Sequence, residues 1–250
     1  QKKALLVIDG MNFWQWHILG NYLSEEGIKY SQSASLAFIP TITAWSRQAI
    51  FKGDKPDLNS DNSNESRLFE EYWTNRGKPG FQILYKKFGV NSQITETGLT
   101  RDIAYLGLVC NDLDEIMHGS ILGDTQLKAS THEWVSQSKI VNLIKELKLL
   151  GFQIFITSDH GNIEAIGLKN LTLKDKVGAI SRGKRHLKFD NETLLENFTS
   201  QNLGIEIGKK GLSIFLKNRE AFTDQEKKVI THGGSHIWEV IVPFISINEK

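Results

Sequence analysis

The chain has 250 residues, with 30 Lys+Arg against 29 Asp+Glu and 40% hydrophobic residues. The near-neutral balance excludes a global electrostatic field for nucleic acid or a membrane surface, so partners have to be read locally. The hydrophobic content suits a packed domain rather than disorder.

The single cysteine, Cys110, excludes an internal disulfide framework and an all-cysteine zinc site, which leaves His and carboxylate as metal donors. No apolar run approaches the roughly 18 residues of a membrane span. The chain begins at Gln1 without Met and enters an apolar run almost at once, so it is read as one domain over residues 1–250, excised from something longer.

Residues 4–8 are an unbroken apolar run closed by Asp9-Gly10, which predicts a buried parallel strand ending in a turn. Residues 40–49 place the hydroxyls of Thr41 and Thr43 at the start of a predicted helix, where a threonine serves either as an N-cap or as a group presented to an anion. Residues 54–64 are rich in Asp, Asn and Ser, and residues 78–98 carry three glycines, so the stretch near 54–100 is expected to be loops or a small cap.

A second apolar run, residues 103–109, leads into Cys110-Asn111-Asp112. Asp114 and His118 follow at the i,i+4 spacing that puts both on one helical face, as two ligands of one metal or as a solvated surface pair. Ser130-Thr131-His132-Glu133 has capping-box spacing and predicts a helix carrying Ile140, Leu143, Ile144, Leu147 and Leu150 until Gly151 stops it. A third run, residues 153–157, ends in Ser158-Asp159-His160-Gly161.

Strand and helix alternation predicts an α/β sheet. Asp9, Asp114 and Asp159 would lie at the carboxyl ends of its strands, where open α/β sheets gather their functional groups. Residues 169–188 hold seven basic residues against Asp175, read as a solvated basic face or as a phosphate-binding strip. His232 sits in Thr231-His232-Gly233-Gly234. Three carboxylates and three imidazoles at strand ends and turns make enough donors for two zinc-like ions.

These motifs, in this order, resemble the PglZ family of the alkaline phosphatase superfamily. Val7-Ile8-Asp9-Gly10-Met11-Asn12 is similar to its first metal-binding strand end, and Thr157-Ser158-Asp159-His160-Gly161-Asn162 to its Asp-His-Gly signature. Asn111 to His118 is similar to the Asp-x-x-x-His element of cofactor-independent phosphoglycerate mutases in that superfamily. Thr231-His232-Gly233-Gly234, followed by Trp238-Glu239-Val240-Ile241-Val242-Pro243, resembles the PglZ ending.

The resemblance implies an alkaline phosphatase-like three-layer α/β/α sandwich with a mostly parallel central sheet. It implies two divalent ions, zinc first and manganese as the alternative. Asp9, Thr43, Asp159 and His160 would hold one, and Asp114, His118 and His232 the other. Thr43, four residues before Arg47, takes the nucleophile's register, and Arg47, Lys184 and Arg185 are candidates to clamp phosphate. His236 has no counterpart in the pattern and is an extra ligand, a substrate contact or, the favoured reading, a surface histidine.

The implied function is a cytoplasmic metal-dependent phosphodiesterase acting on nucleotides or oligonucleotides, in phage defence of the BREX type or in signalling, beside defence-complex or fused-domain partners and without a membrane. A small-molecule phosphomonoesterase and a non-catalytic scaffold of a defence complex are the alternatives.

Overall fold

The computed structural model describes residues 1–60, 64–89, 98–137, 139–168, 179–180, 183–200 and 204–247. In chain order the elements are β1 (Lys2–Ile8), α1 (Phe13–Glu25), β2 (Ser31–Leu36), α2 (Thr43–Lys52), α3 (Glu65–Thr74), β3 (Ile83–Phe88), β4 (Tyr105–Cys110), α4 (Asp112–Gly119), α5 (Asp124–Gln137) and α6 (Ile140–Leu149). There follow β5 (Phe152–Thr157), β6 (Ile163–Gly167), β7 (Ala179–Ile180), β8 (His186–Lys188), α7 (Glu192–Ser200), β9 (Ile207–Lys210), β10 (Ser213–Leu216), β11 (Glu220–Ala221), β12 (Lys228–Thr231), α8 (Ile237–Val240) and β13 (Ile241–Ile247).

The main sheet has six strands in the order β2-β13-β5-β1-β4-β3. β1 runs parallel to both β4 and β5, and β4 parallel to β3. β13 pairs antiparallel with β5 and β2. The alternation of β1 decides the two layers around it. Leu6 and Ile8 join Leu108, Ile154 and Ile156 in a core shared with Trp16, Leu19 and Leu23 of α1, Trp134 of α5 and Ile144 and Leu147 of α6. Val7 and Val109 meet Phe51 of α2 and Phe69 of α3 on the opposite face. This is the expected sandwich with a mostly parallel centre. Two smaller sheets, β7-β8-β10-β9 and β11-β6-β12, complete the described residues.

Two expectations are corrected. The helix predicted from Ser130 to Gly151 is two helices: Ser130 to Glu133 lie inside α5, which begins at Asp124, and α6 starts after Lys139. The hydroxyl of Thr131 is spent on the Leu127 carbonyl one turn back, 2.8 Å away, so it caps nothing. The stretch near 54–100, expected as loops or a small cap, contributes α3 and the edge strand β3, paired in register with β4 from Ile83↔Tyr105 to Phe88↔Cys110. Lys86 and Lys87 disguise that strand in the sequence, as charges commonly do on exposed edges.

Candidate metal centre

The parallel strands deliver their polar ends to one edge of the sheet. Asp9 directly follows β1, Asp159 and His160 follow β5, and Asp114 and His118 lie on α4 just beyond β4. Thr43 is the first residue of α2, and His232 leaves β12. Glycines make this closeness possible. Gly10 takes a left-handed φ of 73° beside Asp114, and a Cβ on Gly161 would collide with the Trp238 carbonyl.

Two donor groups result, each with its ligand atoms within 4.8 Å of one another: Asp9, Asp159 and His160, and Asp114, His160 and His232. His160 belongs to both. Its ring stacks on that of His232 with centroids 3.9 Å apart and 9° between planes. His118 reaches Asp114 Oδ1 at 3.3 Å through Nε2, and its ring centroid is 5.6 Å from that of His232. The Thr43 hydroxyl stands 3.0 Å from His160 Nε2. All seven residues expected at the metals are therefore brought together.

The donor chemistry fits divalent cations. His160 Nδ1 lies 3.0 Å from the Gly161 carbonyl and His232 Nδ1 lies 2.9 Å from the Thr41 carbonyl. A carbonyl only accepts, so in its neutral form each ring carries its proton on Nδ1 and presents Nε2 as a lone pair, the form in which imidazole binds metal. Asp9 Oδ1 is buried and has no hydrogen-bond donor among the described residues.

Burial drives the His232 pKa down to about 3, helped by the neighbouring His160, so the ring stays neutral. Burial likewise pushes Asp9 well above the ordinary carboxylate range, with the Asp159 charge adding to it. Asp159 moves the other way: burial opposes its charge, but His160 and Arg47 outweigh burial. Asp114 is also held low, because its close contact with His118 and the surrounding imidazoles overcome the cost of burial. Such a carboxylate pair, one member reluctant to ionise, is a place where a cation displaces a proton.

The expected phosphate clamps are corrected. Arg47 is buried, with Nε on Asp159 Oδ2 at 3.0 Å, Nη2 on Asp9 Oδ2, and Nη2 also on Asn111 Oδ1 at 2.8 Å. It is committed to the donor carboxylates. Arg185 is buried as well, paired with Glu239 and donating to the carbonyls of Glu220 and Leu216. Only Lys184 of the three remains partly exposed, at a positive φ of 54°. Lys169, Lys174, Lys176 and Arg182 of the basic segment lie outside the described residues. His236 is a cap rather than a free surface histidine: it precedes α8, and its Nδ1 accepts from the Trp238 N–H at 3.3 Å.

Several structuring residues escape a reading of local motifs. The Asn12 amide donates to Asn162 Oδ1 at 3.2 Å, and Asn162 donates to the Gly10 carbonyl at 2.8 Å, tying the loop after β1 to the loop after β5. Glu239 accepts from the Gly234 and His236 N–H groups, each at 3.0 Å, and so shapes the turn that carries His232. Its place in the Trp238-Glu239-Val240 ending is the one sequence signal for it.

Comparison with known proteins agrees with the fold. The chain superposes on murine ectonucleotide pyrophosphatase/phosphodiesterase 5 with a TM-score of 0.64 at 13% identity, covering 99% of this chain and 88% of that one. An inactive variant of that protein in complex with AMP gives a TM-score of 0.64 at 12% identity, covering 100% and 88%. Phosphonoacetate hydrolase from Sinorhizobium meliloti, in complex with phosphonoformate, gives 0.60 at 10% identity, covering 99% and 90%. In sequence, proteins named D-alanine--D-alanine ligase from Clostridium botulinum are 30% identical over 126 residues, a match spanning 48% of this chain and only 40% of theirs. The family described as the BREX system PglZ alkaline phosphatase-like domain matches residues 1–247, with the donors at Asp9, Asp114, Asp159, His160 and His232 all inside that span; the chain belongs to the PglZ family.

Proposed function

We propose that the chain is a metal-dependent phosphoester hydrolase whose nucleophile is Thr43 and whose preferred substrate is a phosphodiester of a nucleotide or oligonucleotide. The observation that carries the reading is the position of the Thr43 hydroxyl, 3.0 Å from the imidazole that both donor groups share. Divalent ions held by Asp9, Asp159 and His160 and by Asp114, His118 and His232, zinc by preference, would supply Lewis acidity to the phosphoryl oxygens and favour the ionised hydroxyl.

The chain's own groups do the rest. Thr43 opens α2, so the positive end of the helix and its first-turn N–H groups stand beside an incoming phosphate. The threonine oxygen, its proton passed to solvent, attacks phosphorus; the bond to one ester oxygen breaks and that oxygen leaves as an alcohol after taking a proton from water; water then cleaves the nucleotidyl-threonine, restoring the hydroxyl and releasing the phosphomonoester. Arg47 holds Asp9 and Asp159 in place throughout. Lys184 and the exposed Lys188 offer charge for further phosphates of a longer substrate.

The nucleotide preference rests on the fold shared with a phosphodiesterase whose inactive variant is in complex with AMP. A place in phage defence rests on the family. The ligase activity named for the partial sequence relatives finds no support in this geometry. The test is turnover of bis(p-nitrophenyl) phosphate against p-nitrophenyl phosphate by protein loaded with zinc or manganese, with bound metal counted. Preference for the diester is expected. Preference for the monoester would favour the phosphomonoesterase reading, and bound metal without turnover of either would favour a scaffold.

A further inference from the structure

Behind the donor carboxylates lies a second buried acid. Glu65, the first residue of α3, is 1% exposed and pairs with Arg47, Tyr85 and Lys87. Its Oε1 faces Arg47 Nη1 at 3.6 Å and receives no hydrogen bond among the described residues, so it acts on Arg47 through charge. Its Oε2 is held by the Tyr85 hydroxyl and by Lys87 Nζ at 3.2 Å, both from the edge strand β3. A chain of charges therefore runs from β3 through Glu65 and Arg47 to Asp9 and Asp159.

Burying a carboxylate is costly, and an apolar residue at the start of α3 would fill the space more cheaply. What Glu65 provides is specific to Arg47. The guanidinium is planar and rigid, so an anchor on Nη1 orients Nε and Nη2 as well, and these fix Asp159 Oδ2 and Asp9 Oδ2. Glu65 also offsets the positive charge that Arg47 would otherwise set against a cation held by the same two carboxylates.

We infer that Glu65 is a positioning residue for the ion held by Asp9, Asp159 and His160, acting through Arg47 and supported by Tyr85. The inference rests on the metal reading above and deepens it. It makes the two ion positions unequal: Glu65 serves the Asp9 position and not the position made by Asp114, His118 and His232.

Zinc binding to the full chain, measured by competition with a chromogenic chelator, tests this. Wild type should bind two ions, and Asp9→Ala identifies which of the two binding steps belongs to Asp9. In Glu65→Gln that step should weaken about 10- to 100-fold, the range typical of outer-sphere partners, while the other step stays put. Tyr85→Phe keeps the ring against Phe51 and Phe69 and removes only the hydroxyl, so the same step should weaken by a smaller factor. If Glu65→Gln does not fold, Tyr85→Phe decides alone. Both steps moving together, or neither moving in a folded variant, overturns the inference. Wild type binding no zinc would instead remove the metal reading itself.

Discussion

Arg185 and Glu239 form a fully buried two-point ion pair, with Nε to Oε1 at 3.0 Å and Nη2 to Oε2 at 3.1 Å. The pair joins the segment before β8 to the turn that carries His232, because the same carboxylate also accepts the Gly234 and His236 N–H groups. The turn that carries His232 is thus held in part by this buried pair.

Glu239→Gln would leave the Arg185 charge buried without its counter-ion, a loss of about 3–5 kcal/mol in stability. Urea unfolding monitored by far-UV circular dichroism measures it. The variant should also lose zinc preferentially from the His232 position. A loss below about 1 kcal/mol would show that water or rearrangement compensates the charge.

The elements that present donors are legible in the sequence because each is a short apolar run closed by an acid, as with Asp9 after β1 and Asp159 after β5. Thr43 and His232 stand out locally as a hydroxyl at a helix start and a histidine beside two glycines, but the roles read for them come from the family pattern. Arg47 is misassigned from sequence because an arginine one turn past Thr43 gives no sign that it folds inward onto two carboxylates. Glu65 and Glu239 look like ordinary surface acids in their local windows, since the cations that bury them, Arg47 and Arg185, are distant in sequence. The break between α5 and α6 is hidden because the apolar stripe of α6 stands directly behind polar residues with capping-box spacing. β3 is hidden because it is an edge strand bearing two lysines.

Lys184 and Lys188, the cations near β8, bear on substrate length. If they bind phosphates, Lys184→Ala with Lys188→Ala should flatten the salt dependence of oligonucleotide binding, by about one unit of slope for each phosphate no longer neutralised. Turnover of bis(p-nitrophenyl) phosphate should change little. An unchanged slope assigns the two lysines to a solvated face.

His186 supplies a pH dependence independent of the metal centre. It is 5% exposed, neither ring nitrogen has a hydrogen-bond partner among the described residues, and its ring packs edge-on to Trp45 at 5.6 Å. Burial, helped by Lys188, lowers its pKa from 6.5 to about 4. The native state therefore binds this proton less readily than the unfolded chain. Its contribution is fully present above pH 6.5 and is lost as pH falls toward 4, by about 3 kcal/mol in all. Urea unfolding of wild type and His186→Leu at several pH values isolates it: the difference in stability between them should change over that window and be flat above it.

The two threonines before and at the start of α2 separate chemistry from architecture. Thr43→Ala removes the hydroxyl beside His160 and leaves every carboxylate and imidazole donor in place, so turnover should fall by orders of magnitude while the protein stays folded and keeps metal. Thr43→Ser retains a hydroxyl and should retain part of the rate. Thr41 has another task. Its hydroxyl accepts the Gly233 N–H at 2.9 Å and donates toward the Gly234 carbonyl and Glu239, so it builds the His232 turn and caps no helix. Thr41→Ala leaves a buried N–H without its acceptor, which should cost about 1–3 kcal/mol of stability and reduce turnover only as far as the turn shifts. Thermal unfolding and steady-state rates on the same preparations decide the assignment. Normal turnover by Thr43→Ala with loss in Thr41→Ala would move the nucleophile by two residues, and normal turnover by both would leave direct attack by water as the better chemistry.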